Sequence, residues 1–265
     1  MGSFSLGTVW EETASLLRRE RALLIPVALA LFGPAQVMIE LGMPRDMPGN
    51  PAEQAMQGKA LLVLPAMLLV FLGNLAITRL ALVPGISVAE ALSDGLRRLP
   101  RTLGAMLLLG VALAAIAILI AIAATLGILV FGGDPRSPAV SAQLVTLIMI
   151  PAFVLLVRMM LLVPAVAMEE GGVIDALRRG WALGRGNALR LTGMLLIVLI
   201  LTAIVQLIET FVVGSMIQLL ALATGDGELA KLLHMVINAA IDSLLSLGFT
   251  VYVALVYRAV ARDGG

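Results

Sequence analysis

Residues 103–131 read LGAMLLLGVALAAIAILIAIAATLGILVF, without a single charged side chain. About 20 apolar residues of α-helix cross the ~30 Å hydrocarbon core of a bilayer, so this stretch alone is long enough to span one. Working outward from it, five more apolar runs occupy about residues 22–41, 60–83, 140–163, 191–222 and 229–260. Of the 265 residues, 60% are hydrophobic and 13% charged, and the mean hydropathy is +1.05. A soluble domain has about 45–50% apolar and about 25% charged residues. The expectation is an all-α, polytopic integral membrane protein with six transmembrane helices in a single membrane domain, residues 1–265, with no room for a separate soluble enzyme domain.

Several chemistries are excluded by residue type. The chain has no cysteine, hence no disulfide, thiol nucleophile or thiolate metal site, and its one histidine, His234, cannot form a two-histidine zinc motif. No catalytic constellation, metal site or cofactor is expected. The 18 Lys+Arg nearly balance the 17 Asp+Glu, leaving +1, so the bulk charge implies no nucleic-acid partner.

The position of the cations is more informative than their sum. Fourteen arginines (18, 19, 21, 79, 97, 98, 101, 158, 178, 179, 185, 190, 258 and 262) fall in the N-terminal segment, the second and fourth connections, their flanking helix ends and the C-terminus. The other side carries only Arg45, Lys59, Arg136 and Lys231. This positive-inside bias predicts a bacterial inner-membrane protein with both termini cytoplasmic. The first 21 residues are too acidic for a signal-peptide n-region, with Glu11, Glu12 and Glu20, and read as retained. The far-side stretches 43–51 and 132–138, rich in Pro, Gly and Asp, read as turns.

The segments before the odd-numbered spans have helical apolar spacing, as in Leu6, Val9, Trp10, Thr13, Leu16 and Leu17. A shift of 79 residues superposes Val9, Glu11, Leu17, Arg18 and Arg19 on Val88, Glu90, Leu96, Arg97 and Arg98. A further shift of 85 superposes Val88, Glu90, Ala91, Leu92 and Gly95 on Val173, Asp175, Ala176, Leu177 and Gly180. The economical expectation is three repeats (1–86, 87–170 and 171–265), each an amphipathic interfacial helix followed by a two-span hairpin. Such helices sink an apolar stripe among acyl chains while arginines meet lipid phosphates. Membrane lipids, anionic ones included, are the expected partners of Arg18, Arg19, Arg97, Arg98, Arg178 and Arg179; the same pattern also fits helices that only connect hairpins.

RMMLLVPAVAME at 158–169, followed by ALRRGWALGRGN at 176–187, resembles the bacterial membrane domain attached to some glycerophosphoryl diester phosphodiesterases and the related YciC-like multi-span proteins. Gly180 and Gly184 stand where that pattern commonly has serine and threonine. The resemblance implies a membrane domain of unassigned biochemical role, because the catalytic phosphodiesterase of that family is a separate soluble domain that these residues do not contain. Its motif falls on Arg158, Pro164, Glu169, Arg179, Trp181, Gly186 and Asn187. Arg158, six residues before Pro164, is placed to snorkel to the surface or to pair with Glu169. Pro164 stops or kinks the span, Trp181 reads as an interfacial anchor, and Gly186 with Asn187 as a helix stop before the fifth span.

At membrane depth, His234, Asn238 and Asp242 recur at i, i+4 and i+8 on one face of the sixth span, with Ser246 continuing the stripe, and Glu209 lies inside the fifth run beside Gln206. Ionisable groups cost about 2.5–3.5 kcal/mol in hydrocarbon, so these must face protein or a wet cavity. Two functions stay open. One is a non-enzymatic inner-membrane module with a lipid-interacting or scaffolding role. The other is a small transporter or channel using Glu209, His234, Asn238 and Asp242, which requires water to reach Asp242, whereas a scaffold caps Asp242 with its neighbours. A lipid-active enzyme, the third and most distant class, would draw on Glu169, Glu170, Asp175 and Arg158. The fifth run, too long for one perpendicular crossing, either breaks near Gly214 or tilts.

Overall fold

The computed structural model describes residues 6–42, 59–131 and 138–263. The turns expected at 43–51 and 132–138, with Arg45 and Arg136, lie outside them except for Pro138, which is the first residue of a helix. The helices are α1 (Leu6–Arg19), α2 (Arg21–Gly42), α3 (Val63–Leu82, entered through the 3₁₀ turn Lys59–Leu62), α4 (Val88–Phe131) and α5 (Pro138–Met159). They continue as α6 (Leu162–Met168), α7 (Val173–Ile208), a π-helical turn (Glu209–Val213), α8 (Gly214–Thr224) and α9 (Gly227–Asp263). No strand occurs among the described residues, and six helical stretches are long and apolar enough to cross a membrane.

Local chemistry sets the element ends. Pro84 pushes Val83 into extended backbone (φ −110°, ψ 103°), ending α3. α4 starts with a capping box in which Ser87 N and Oγ donate to Glu90 Oε2 at 2.9 and 2.7 Å while Glu90 N donates to Ser87 Oγ at 3.2 Å. Pro164 has no N–H for the carbonyl of residue 160 and its ring would clash there, so α5 stops at Met159 and the chain restarts as α6. Gly225, in the left-handed region at φ 69°, closes α8 by donating its N–H to Ala221 O at 2.9 Å.

The core is built on α2, α3 and α9, with α1 laid across α9. Phe32, Ile77, Val251, Leu255 and Val256 pack there at 1% exposure or less. Gly73 leaves space for Phe32, since a Cβ at 73 would stand 2.5 Å from Phe32 Cε1. More than half of the apolar stretch of α9 is buried (56%), but only 6% of that of α4. The far halves of α4 and α7 therefore present bare leucine and isoleucine, including Leu119, Leu126, Ile200 and Leu207, to the surroundings.

Two expectations are corrected. Of the three breaks expected between an amphipathic segment and the apolar run after it, only the first is present, at Glu20, whose N–H still reaches Leu16 O at 2.8 Å. At the other two places the helix runs on unbroken, through Pro100 in α4 and through Gly186 and Asn187 in α7. Gly186 and Asn187 are thus no helix stop. Asn187 Nδ2 donates back to Leu183 O at 3.4 Å, and a mid-helix glycine costs only about 1 kcal/mol, which packing overcomes. The long fifth run keeps helical backbone past Gly214 and widens into the π turn at Glu209 instead of breaking.

Candidate functional site

The first polar cluster joins the last turn of α7 to α9. Glu209 opens the π turn and is buried, with 4% of its surface exposed. Asn238 faces it from α9; with its amide nitrogen turned to the carboxylate it donates to Oε1 and Oε2 at 2.6 and 2.8 Å. One turn along α9, half-buried Asp242 accepts from Gln206 Nε2 through Oδ1 at 2.8 Å. The pairs 206 with 242 and 209 with 238 are in antiparallel register, each joining one acid and one amide. Three of the four residues expected at this site therefore meet. His234, one turn before Asn238 and half-buried, has no bond to the cluster among the described residues. Gln206, which the sequence shows only as a neighbour of Glu209, is a full member.

The second cluster gathers arginines around the end of α6. Arg98 Nη1 donates to Val166 O at 2.8 Å and to Glu169 O at 2.7 Å. Arg101 donates through Nη1 to Glu169 O at 2.8 Å and through Nε to Gly172 O at 3.1 Å. Arg79 reaches Ala167 O at 3.5 Å and pairs with Asp94. Guanidinium groups at a helix C-terminus satisfy its last carbonyls and meet the negative end of its dipole. The Glu169 side chain is a second node, accepting at Oε1 from Arg179 Nε at 3.0 Å and from Tyr257 OH at 2.7 Å. Glu169 thus ties α4, α7 and α9 together, and Arg258 pairs with Glu12 to hold α1 at the same end.

Several sequence expectations change here. Arg158 does not pair with Glu169; its guanidinium lies over the Trp181 ring, 4.7 Å from the centroid. α7 crosses α5 at that point so closely that a Cβ on Gly184 would stand 2.4 Å from Arg158 O. A Cβ on Gly180, one turn earlier, would find its nearest neighbour, Leu162 Cα, at 3.5 Å. Arg98, expected at lipid, faces inward. Arg18, Arg97 and Arg178 are exposed, as are Arg19 and Arg179, which pair with Glu20 and Glu169. Of the acids considered for lipid chemistry, Asp175 Oδ2 accepts from Gly172 N at 2.9 Å and Glu170 is exposed, so with Arg158 on Trp181 they do not converge. Among the described residues, no three Asp, Glu or His side chains are grouped to hold a metal ion.

Residues 5–260 match the family described as a domain of unknown function, DUF7847. The chain belongs to that family. The match covers every helix from α1 to nearly the end of α9, so in this DUF7847 domain both clusters lie inside the matched region. No curated protein and no solved structure matches the chain.

Proposed function

We propose that this DUF7847 chain is a non-enzymatic, polytopic module of the bacterial inner membrane, with both termini cytoplasmic, whose arginine-rich end engages anionic phospholipid headgroups. The division of the arginines carries this reading. Arg79, Arg98 and Arg101 turn inward and hold the fold, whereas Arg18, Arg97 and Arg178 turn outward at the same end of the molecule. They stand beside the bare apolar flanks of α4, α5 and α7, exposed surface far beyond what a soluble protein tolerates. Gly95 and Gly180, aligned by the 85-residue shift, each lie against the helix that precedes them, which supports the second and third repeats being copies of one unit. Kinship with the membrane domain of the glycerophosphoryl diester phosphodiesterases is supported by two contacts among the motif residues, Arg158 with Trp181 beside Gly184, and Glu169 with Arg179. A packed module is favoured over a transporter because Gln206 caps Asp242 and Asn238 caps buried Glu209.

The test is the thermal midpoint of the purified chain in neutral detergent with added phosphatidylglycerol or phosphatidylcholine. Each surface arginine contributes about 1 kcal/mol at an anionic membrane. Phosphatidylglycerol is expected to raise the midpoint more than phosphatidylcholine. That excess should vanish in the Arg18→Gln, Arg97→Gln, Arg178→Gln triple variant and shrink at high salt. Equal effects of the two lipids, or an undiminished excess in the triple variant, would sink the proposal.

A further inference from the structure

α1 is clamped to α9 rather than peeled away as an independent surface helix. Trp10 meets Tyr252 edge to face at 5.7 Å between centroids, Glu12 pairs with Arg258, and Val9 and Thr13 are buried. Beneath α1, between α7 and α9, lies a cavity of about 160 Å³. Leu17, Val198, Leu245 and Phe249 form its walls, and Gly248 leaves them open. The Thr13 hydroxyl, which is on the wall, donates to Val9 O at 2.8 Å and so offers a guest no donor. Three other lining residues, Trp10, Leu201 and Leu244, are 46%, 41% and 45% exposed. The cavity therefore opens sideways, onto the same apolar flank that α7 and α9 present to their surroundings.

We infer that this groove holds one acyl chain of a phospholipid from the arginine-side leaflet, with its phosphate at Arg18. An apolar cavity of roughly 150 Å³ stays dry and takes up a guest the size of benzene. This groove is of that size, offers water few partners, and suits about six carbons of a chain. A lipid tail arrives through the lateral mouth without crossing polar surface. Arg18 is exposed and lies one turn beyond Ala14, which lines the groove, so the charge stands where a headgroup would emerge. The inference rests on the lipid-module reading and adds a defined site to it.

Trp10 makes the site observable. The chain has two tryptophans, so Trp181→Phe, which keeps an aromatic ring under Arg158, leaves Trp10 as sole reporter. The full chain in detergent is titrated with phosphatidylglycerol brominated on its acyl chain, which quenches tryptophan on contact. Quenching is expected to saturate at one lipid per chain. A Cβ on Gly248 meets no atom within 4 Å, so the side chain of Gly248→Leu starts in open space at the groove wall. That variant should stay folded, gain thermal stability in lipid-free detergent, and bind the quencher more weakly. Even two methylenes of lost burial are about a tenfold loss of affinity. Gly193→Leu, on α7 with equally open space but outside the groove, should quench like the parent.

Unchanged quenching in Gly248→Leu, or quenching that never saturates, overturns the inference, as does native mass spectrometry showing a second copy of the chain seated on α1. If the midpoint still responds to phosphatidylglycerol in any of these cases, only the groove is wrong. If neither quenching nor midpoint responds to any lipid, the lipid-module reading fails with it.

Discussion

Gly184→Ala adds one carbon where, among the described glycines, the neighbouring backbone stands closest. That carbon would stand 2.4 Å from Arg158 O, 2.9 Å from Arg158 Cα and 3.1 Å from Arg158 C. All three are backbone atoms and none can rotate away. Non-bonded carbons settle at about 3.5–4.0 Å, so α5 and α7 must separate by roughly 1 Å, and the guanidinium of Arg158 slides on Trp181. Overpacking costs about 1–3 kcal/mol and a rigid obstacle belongs at the top of that range, while alanine recovers about 1 kcal/mol of helix propensity over glycine. The net expectation is a loss of about 2 kcal/mol. Gly180→Ala, one turn away on the same helix, meets nothing closer than 3.5 Å, so it should be neutral or stabilising by up to about 1 kcal/mol. The two alanines, equal in propensity, should differ by about 2–3 kcal/mol in unfolding followed by circular dichroism in one detergent. Indistinguishable midpoints would refute the crossing geometry.

Two further pairs of substitutions probe the clusters. Arg98→Gln removes donors from the Val166 and Glu169 carbonyls and should cost about 2–3 kcal/mol in the same assay, while Arg97→Gln, one residue away and exposed, should stay within about 0.5 kcal/mol. Equal costs would show that the α6 end is not what Arg98 holds. Asn238→Ala takes both amide contacts from buried Glu209 and should lower stability by about 1–3 kcal/mol, with Asn238→Asp worse because it sets two acids face to face. A stable Asn238→Asp protein would contradict the pairing.

The contrast of Arg97 with Arg98 also shows what a sequence withholds. Helical spacing puts adjacent residues about 100° apart on α4, but which of them turns inward depends on the carbonyls of Val166 and Glu169, about 70 positions later. Arg158 was legible as a group needing a partner, and Trp181 as an aromatic near an interface. Their stacking follows from a crossing fixed by Gly184, a residue read only as a departure from a family pattern. The six apolar runs were plain because each is long and apolar enough to be recognised without its neighbours. Gly186 and Asn187 misled because the same residues end helices in water; here, with Leu183 and Leu191 buried on either side, the helix continues. Asn238, Asp242 and Glu209 stood out because a polar group is conspicuous within an apolar run, whereas Gln206 became a member through the antiparallel register of α7 on α9.

A packed, non-conducting module whose arginine-rich end is cytoplasmic can be tested directly, because the chain has no cysteine. Gly133→Cys, Arg178→Cys and Asp242→Cys, each as the single thiol, are exposed to a membrane-impermeant thiol reagent from either side of sealed vesicles. The expected result is labelling of Gly133→Cys from the periplasmic side only, of Arg178→Cys from the cytoplasmic side only, and of Asp242→Cys from neither. Labelling of Asp242→Cys from either side, or of Gly133→Cys and Arg178→Cys from the same side, would contradict it.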